Sequence, residues 1–198
     1  MRDDRRSYRR KRGEVVGSMI DVRFHSRGGQ GGVTAAKLLG LAAFLEGKFS
    51  SAFPLYGAER RGAPVMAFTR IDDTEIKIYS PVHHPDCIII MDSSIIELID
   101  ITEGLKDGGM ILIDNDSDHR FPEFERYTVF AVDATKIALD LNLIIAGIPI
   151  LNTAILGALA KIGIIKLNSA KRAIKMMFPE EEESILAAEY AYEQVWEV

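Results

Sequence analysis

Cysteine is all but missing: Cys87 is the only one in 198 residues. One thiol closes no internal disulfide, and alone it cannot supply the thiolates of an iron–sulfur cluster or a cysteine-bound zinc. A reducing cytoplasm fits that composition, and none of the chain's residues is assigned to a metal. Long apolar runs are missing too. The richest stretches, Leu141 to Leu151 and Ala154 to Ile165, are broken by Asn, Pro, Gly and Lys, so neither reaches the ~20 residues of a membrane span. Positive charge is scarce outside the first 18 residues, which hold Arg2, Arg5, Arg6, Arg9, Arg10, Lys11 and Arg12 against Asp3, Asp4 and Glu14. With a formal net charge of -5 for the whole chain, the remainder is more acidic than the total. It is a poor match for nucleic acid, although the basic tail alone can touch RNA or anionic lipid without specificity. Neither nucleic acid nor membrane is expected as a partner.

The segment 1–18 has no apolar stretch of a secretory leader and no amphipathic pattern of a transit peptide. Two readings stand side by side: a disordered basic arm, or an extension upstream of a start at Met19, which opens directly into an apolar strand. Residues 19–198 are expected to form one domain. An apolar content of 47% is enough to cover both faces of a central sheet.

Ile20 to His25 alternates and then meets glycine, which predicts a strand, and Val33 to Glu46 has helical periodicity up to Gly47. Phe49 to Phe53 predicts a short strand. Pro64 to Ile71 and Glu75 to Ser80, parted by Asp72-Asp73-Thr74, predict a hairpin. Cys87 to Met91 is a continuous aliphatic run suited to a strand buried on both faces, and Met110 to Ile113 and Thr128 to Val132 resemble it. Asp92-Ser93-Ser94 predicts a capped helix to about Glu103. Helices follow over Thr135 to Leu141, Leu151 to Ile162, Ser169 to Phe178 with Asn168 as cap, and about Pro179 to Glu197, whose first turn holds the acidic run Glu180 to Glu183. The sum is a three-layer α/β/α domain with a mixed, mainly parallel sheet.

Two loops carry the chemistry. In the first, Arg27-Gly28-Gly29-Gln30-Gly31, glycines let backbone N–H groups approach an anion at the start of a helix. A dinucleotide site needs a third glycine where Thr34 stands and an acidic residue where Phe53 and Pro54 stand. Nor is there a Gly-Lys-Ser/Thr sequence, so NAD, FAD and ATP hydrolysis lose ground. A plain turn that packs strand on helix is the alternative, against which Arg27 and Gln30, polar at the tip, favour a ligand or a subunit interface. In the second loop, Tyr56-Gly57-Ala58-Glu59-Arg60-Arg61-Gly62, paired guanidinium groups suit bidentate binding of phosphate, with Glu59 orienting one of them. A solvated charge cluster explains these residues equally well. Tyr56 can stack an adenine or pack on a partner, and Phe53 suits the core. His83 and His84 lie near Asp86 and Cys87, but adjacent histidines on an extended segment point to opposite sides and bind no common metal. Asp92, Asp114 and Asp133 end strands and read as caps, and Asn152 starts a helix. No catalytic residue is assigned.

The strings Arg27-Gly28-Gly29-Gln30-Gly31, Ala52-Phe53-Pro54, Tyr56 through Asp72, Asn152-Thr153-Ala154 and Leu156-Gly157-Ala158 resemble the gamma subunits of 2-oxoacid:ferredoxin oxidoreductases of the pyruvate and 2-ketoisovalerate type. The resemblance runs from about Met19 to the C-terminus. It implies a multisubunit enzyme that decarboxylates a 2-oxoacid, pyruvate first, passes electrons to ferredoxin and forms an acyl-CoA, or runs in reverse. Alpha, beta and delta subunits are the implied partners, holding thiamine diphosphate, Mg2+ and [4Fe-4S] clusters. This chain matches the domain of fused enzymes that lies beside coenzyme A. The resemblance therefore implies that Arg27, Gly28, Gly29, Gln30 and Gly31, with Tyr56, Glu59, Arg60 and Arg61, help dock coenzyme A. A free-standing CoA- or nucleotide-binding module is the alternative, as is the matching subunit for 2-ketoisovalerate, 2-oxoglutarate or indolepyruvate.

Overall fold

The computed structural model describes residues 19–55, 62–78, 80–117 and 121–198. The segment 1–18 and most of the arginine loop lie outside them. The described residues build nine strands and five α-helices: β1 (Ile20–Arg27), α1 (Gly32–Leu45), β2 (Phe49–Leu55), β3 (Pro64–Asp72), β4 (Cys87–Ile90), β5 (Met110–Asp114), β6 (Thr128–Val132), α2 (Ala134–Asp140), β7 (Ile144–Ile145), β8 (Ile148–Pro149), α3 (Asn152–Lys161), α4 (Leu167–Met177), α5 (Glu182–Gln194) and β9 (Trp196–Glu197). Seven strands form one sheet in the order β2-β3-β1-β4-β5-β6-β9. Strands β1, β4, β5 and β6 run parallel at its centre, while β3 and β9 run against them. Strand β2 opposes β3 and so points with β1. Five of seven strands therefore share a direction, giving the mixed, mainly parallel sheet expected.

Alternation along each strand divides its side chains between two cores. Val22, Phe24, Cys87, Ile89 and Leu112 face helices α1 to α5, where small residues such as Ala35, Ala158 and Ala188 allow close approach. Ile88, Ile90, Ile111 and Ile113 face the other way, onto Ile95, Ile101, Leu105 and Phe124. The layers are unequal: helices cover the first face, whereas turns and the short 3-10 helices Ser93–Ile95 and Pro122–Phe124 cover the second.

Four expectations need correction. The Glu75 to Ser80 partner strand does not form among the described residues of that stretch. Asp72 accepts from the amide and hydroxyl of Thr74, which turns the chain, and the buried Arg70 guanidinium takes the carbonyls of Ile78, Ser80 and Pro81. A side chain has replaced the strand partner; β3 pairs instead with β1 and β2. The helix from Asp92 to Glu103 shrinks to one 3-10 turn, because Asp100 starts a new turn at Thr102 and Arg23 of β1 draws the carbonyls of Ile101 and Glu103 inward. Asn168 is no cap: α4 starts one residue earlier, and Lys166 precedes it with its amide on Glu46. The last helix ends at Gln194, and Trp196 then pairs with Ala131 as an edge strand, in keeping with the β propensity of Val195, Trp196 and Val198.

Candidate functional site

The carboxyl end of β1 feeds the glycine loop. Gly29 and Gly31 hold φ of +108° and +90°, the left-handed region that only glycine enters at little cost. A Cβ on Gly29 would also come within 2.8 Å of Ile148 Cδ1. Gln30 bends back over the turn, its Oε1 accepting from the Arg27 amide at 2.7 Å and its Nε2 donating to Asp92 at 3.2 Å. Arg27 does similar work: its guanidinium donates to Ser94 Oγ at 2.6 Å and to the Gly62 carbonyl at 3.0 Å, and pairs with Asp92 at 3.2 Å. Both side chains are locks on the loop. Their functional groups are already engaged, which leaves the backbone as the loop's donor set.

That backbone is open. The amides of Gly29, Gly31, Gly32, Val33 and Thr34 meet no acceptor among the described residues, the first recurrent bond of α1 being Ala35 N–H to Gly31 O at 2.8 Å. No side chain caps the helix. The loop and the start of α1 line a cleft of 810 Å³ together with Val65, the starts of α3 and α5 at Asn152, Glu181 and Ser184, and one wall of the β7–β8 hairpin. The hairpin turns at Ala146 and Gly147 with φ of 51° and 81°, as a type I′ turn requires. It leaves Ile145 two-thirds exposed. The cleft thus joins unpaired N–H donors at one end to an aliphatic wall at the other, and it sits outside the strand ends where open α/β sheets bind ligands.

Of the residues predicted to form the site, Gly28, Gly29 and Gly31 line the cleft, as does Arg27 beside them. The Gly28 amide itself is engaged with Ala63 O at 2.9 Å, while Gly62 N–H returns to Gly28 O at 3.1 Å. The glycine loop is therefore stitched to the residues that follow the arginine loop. Tyr56, Glu59, Arg60 and Arg61 lie outside the described residues. Phe53 packs its ring 5.3 Å from that of Phe68, with the Arg70 guanidinium over it.

Behind the loop, His25 is 3% exposed and its Nε2 has no partner. Burial, helped by the nearby Arg23 charge, pushes its pKa down to about 3, so the ring is neutral. Cys87 is fully buried in the sheet, its thiol pushed up to about 12 by burial and then by Asp86; it is a core residue, not a nucleophile. Asp92, Asp114 and Asp133 act as the caps expected: they accept from the amides of Ser94, Thr135 and Lys136 at 3.1, 3.0 and 2.7 Å. Asp86 is held by Lys106 at 2.7 Å, and no group of three potential metal ligands occurs among the described residues. The sequence reading missed the contributions of Glu181, Ser184 and the β7–β8 hairpin. The Ala-Gly pair between Ile144-Ile145 and Ile148 was the signal for the hairpin.

Such a fold and cleft define an open α/β protein whose first strand–helix turn presents unpaired backbone N–H donors to a cleft. The family model for pyruvate ferredoxin/flavodoxin oxidoreductase matches residues 21–194. The chain is 48% identical over 184 residues to the pyruvate/ketoisovalerate oxidoreductases common subunit gamma of Pyrococcus furiosus, covering 89% of this chain and 97% of that one. It superposes on the crystal structure of pyruvate oxidoreductase subunit PORC from Thermotoga maritima with a TM-score of 0.73 and 35% identity, over 90% of this chain and 97% of that chain. A lower likeness, TM-score 0.66 and 19% identity over 91% of this chain, links the fold to 30% of a 2-oxoglutarate:ferredoxin oxidoreductase chain from Magnetococcus marinus, solved with 2-oxoglutarate, coenzyme A and succinyl-CoA bound. The chain belongs to the pyruvate ferredoxin/flavodoxin oxidoreductase family, and within it is a gamma-type subunit of an oxidoreductase.

Proposed function

We propose that this subunit docks coenzyme A for a multisubunit 2-oxoacid:ferredoxin oxidoreductase, with pyruvate the first candidate acid. The observation that carries the reading is the row of five unpaired amides, Gly29 and Gly31 to Thr34, opening into the 810 Å³ cleft. Coenzyme A brings a diphosphate and a 3′-phosphate to such donors, and its pantetheine arm suits an aliphatic wall. The fold-level likeness to an enzyme solved with coenzyme A bound agrees with this. Arg60 and Arg61 are assigned to a second phosphate contact, with Tyr56 and Glu59 beside them. Thiamine diphosphate with Mg2+ and the [4Fe-4S] clusters are assigned to alpha, beta and delta partner chains, and ferredoxin meets the complex there. Pyrococcus furiosus has a relative named as common to pyruvate and ketoisovalerate oxidoreductases. A shared subunit cannot choose between two acids, so the acid is read by other chains.

Hydrogen exchange in the assembled enzyme tests the site. Coenzyme A should slow exchange of the amides of Gly29 and of Gly31 to Thr34, which have no acceptor among the described residues; unchanged exchange there at saturating coenzyme A would remove this cleft from the reading. Arg60→Ala with Arg61→Ala should raise the KM for coenzyme A at least about tenfold, since charge-assisted hydrogen bonds contribute ~1.5–3 kcal/mol each, and should leave the KM for the acid and thiamine binding unchanged.

A further inference from the structure

The chain reverses direction at Leu151, whose amide donates to the Gln30 carbonyl at 3.1 Å. That bond fixes the start of α3 against the glycine loop. Asn152, the first residue of α3, is 6% exposed, yet it lines the cleft. Its Oδ1 accepts from the Thr153 amide at 2.7 Å. With the oxygen turned to that N–H, the amide nitrogen is left outward. Among the described residues Nδ2 has no acceptor. It lies against Gly31, where an added Cβ would come within 3.3 Å of Nδ2 and 3.2 Å of Asn152 Cβ. Nδ2 is not among the enclosed unpaired atoms, so this NH2 opens onto the cavity that Asn152 lines, whose nearest wall also consists of unpaired N–H donors.

We infer that Asn152 is a ligand-binding residue: its Nδ2 and the Gly31 amide donate to one phosphate group of the bound ligand. The inference rests on the docking of coenzyme A in this cleft and names a side chain for it. From the sequence Asn152 reads as a helix start, with an interface role allowed by the family resemblance, and not as a ligand contact. Two helix N-termini, α1 and α3, then face the same anion, and neither has a side-chain cap from its N-cap residue. Asn152 supplies what the backbone cannot, a donor that a single substitution can invert without changing shape. An inorganic phosphate would satisfy the same donors, but the adjoining aliphatic wall favours a phosphate carried on a larger molecule.

Asn152→Asp separates binding from folding, because the two respond with opposite sign. Aspartate keeps the acceptor for Thr153 N–H and puts a negative charge in the first turn of a helix, where the dipole favours it. It removes the NH2 donor and sets a carboxylate against the phosphate. In the assembled enzyme Asn152→Asp should therefore retain or raise the melting temperature and leave the KM for the acid unchanged, while raising the KM and Kd for coenzyme A at least tenfold. Asn152→Ala, lacking both donor and repulsion, should fall between. Coenzyme A and 3′-dephospho-coenzyme A identify the phosphate: an equal penalty with both assigns Nδ2 to the diphosphate, and a penalty with coenzyme A alone assigns it to the 3′-phosphate.

Wild-type affinity for coenzyme A in a folded Asn152→Asp enzyme would overturn the role of Asn152. If coenzyme A still slows exchange of the amides of Gly29 and of Gly31 to Thr34 in that variant, docking in the cleft stands without Asn152. If those amides do not respond to coenzyme A even in the wild-type enzyme, the docking reading itself is what fails.

Discussion

Helices α1 and α2 both begin at the carboxyl ends of parallel strands, and they finish their first turns in opposite ways. At α2, Asp133 accepts from the Lys136 amide and Asp114 from the Thr135 amide and hydroxyl, so the first turn is satisfied by the chain's own carboxylates. At α1, Gly31 is the cap residue and brings no side chain, and the amides of Gly32, Val33 and Thr34 stay unpaired among the described residues. The acidic end of the sheet repels anions and needs none. The glycine end lacks one. A helix that forgoes an internal acceptor loses roughly 1 kcal/mol of capping stability, and here the open turn faces a cleft large enough for a ligand. The contrast teaches that capping, rather than strand order, separates the open helix start at this edge of the sheet from the closed one.

The largest effect is expected where α3 and α5 touch. A Cβ on Gly157 would overlap the backbone carbonyl of Ala188, so Gly157→Ala must force apart the two helices whose starts line the cleft. A loss of about 3 kcal/mol or more should appear in urea unfolding; a change below about 1 kcal/mol, within the range of an ordinary tolerated swap, would show that the pair can slide. At the acidic end, burial raises Asp114 to about 6 from 3.8, despite its bonds to Thr135. Its folded pKa lies above its unfolded one, so wild-type stability is lost as pH rises from about 4 to 6. Asp114→Asn should match the wild type near pH 4 and exceed it on the order of 3 kcal/mol at pH 7, since each tenfold difference in proton affinity between the folded and unfolded chain is worth ~1.4 kcal/mol. A pH-independent difference would contradict the assignment. His25 runs the other way: its pKa is depressed, so its contribution is lost as pH falls from 6.5 toward 3. Comparing Asp114→Asn with the wild type at each pH cancels that slope. The smallest effect is Asp133→Ala, expected to lower stability by about 1 kcal/mol through loss of the α2 cap. The KM for coenzyme A should not change; a rise would mean that the acidic end reaches the ligand after all.

Much of this fold could be read from period alone. Strands such as Cys87–Ile90 and Met110–Asp114 are short unbroken aliphatic runs, and α1 and α3 repeat small and apolar residues at helical spacing. The failures occur where one long side chain overrides the local pattern. Arg70 claims the carbonyls of 78, 80 and 81, a role that strand periodicity does not show, and Arg23 those of 101 and 103, partners that no local window contains. The site divides in the same manner. Its glycines announced a turn that can receive an anion, but the employment of Arg27 and Gln30 depends on Asp92 and Ser94, more than 60 positions away. Asn152 looked like an ordinary helix start because its sequence neighbours do not reveal Gly31. The β7–β8 strands are two residues each, too short for alternation to register.

The lock on Arg27 has a consequence for ionic strength. Because Asp92 lies 3.2 Å from the Arg27 guanidinium, that charge is largely cancelled, and what the glycine loop presents to an anion is neutral amide dipoles that act over hydrogen-bond distances. Salt at about 0.15 M screens charges over about 8 Å, a range longer than those bonds. Steering of an anion toward the protein should weaken as salt rises, whereas the grip of this loop on a phosphate already seated should persist.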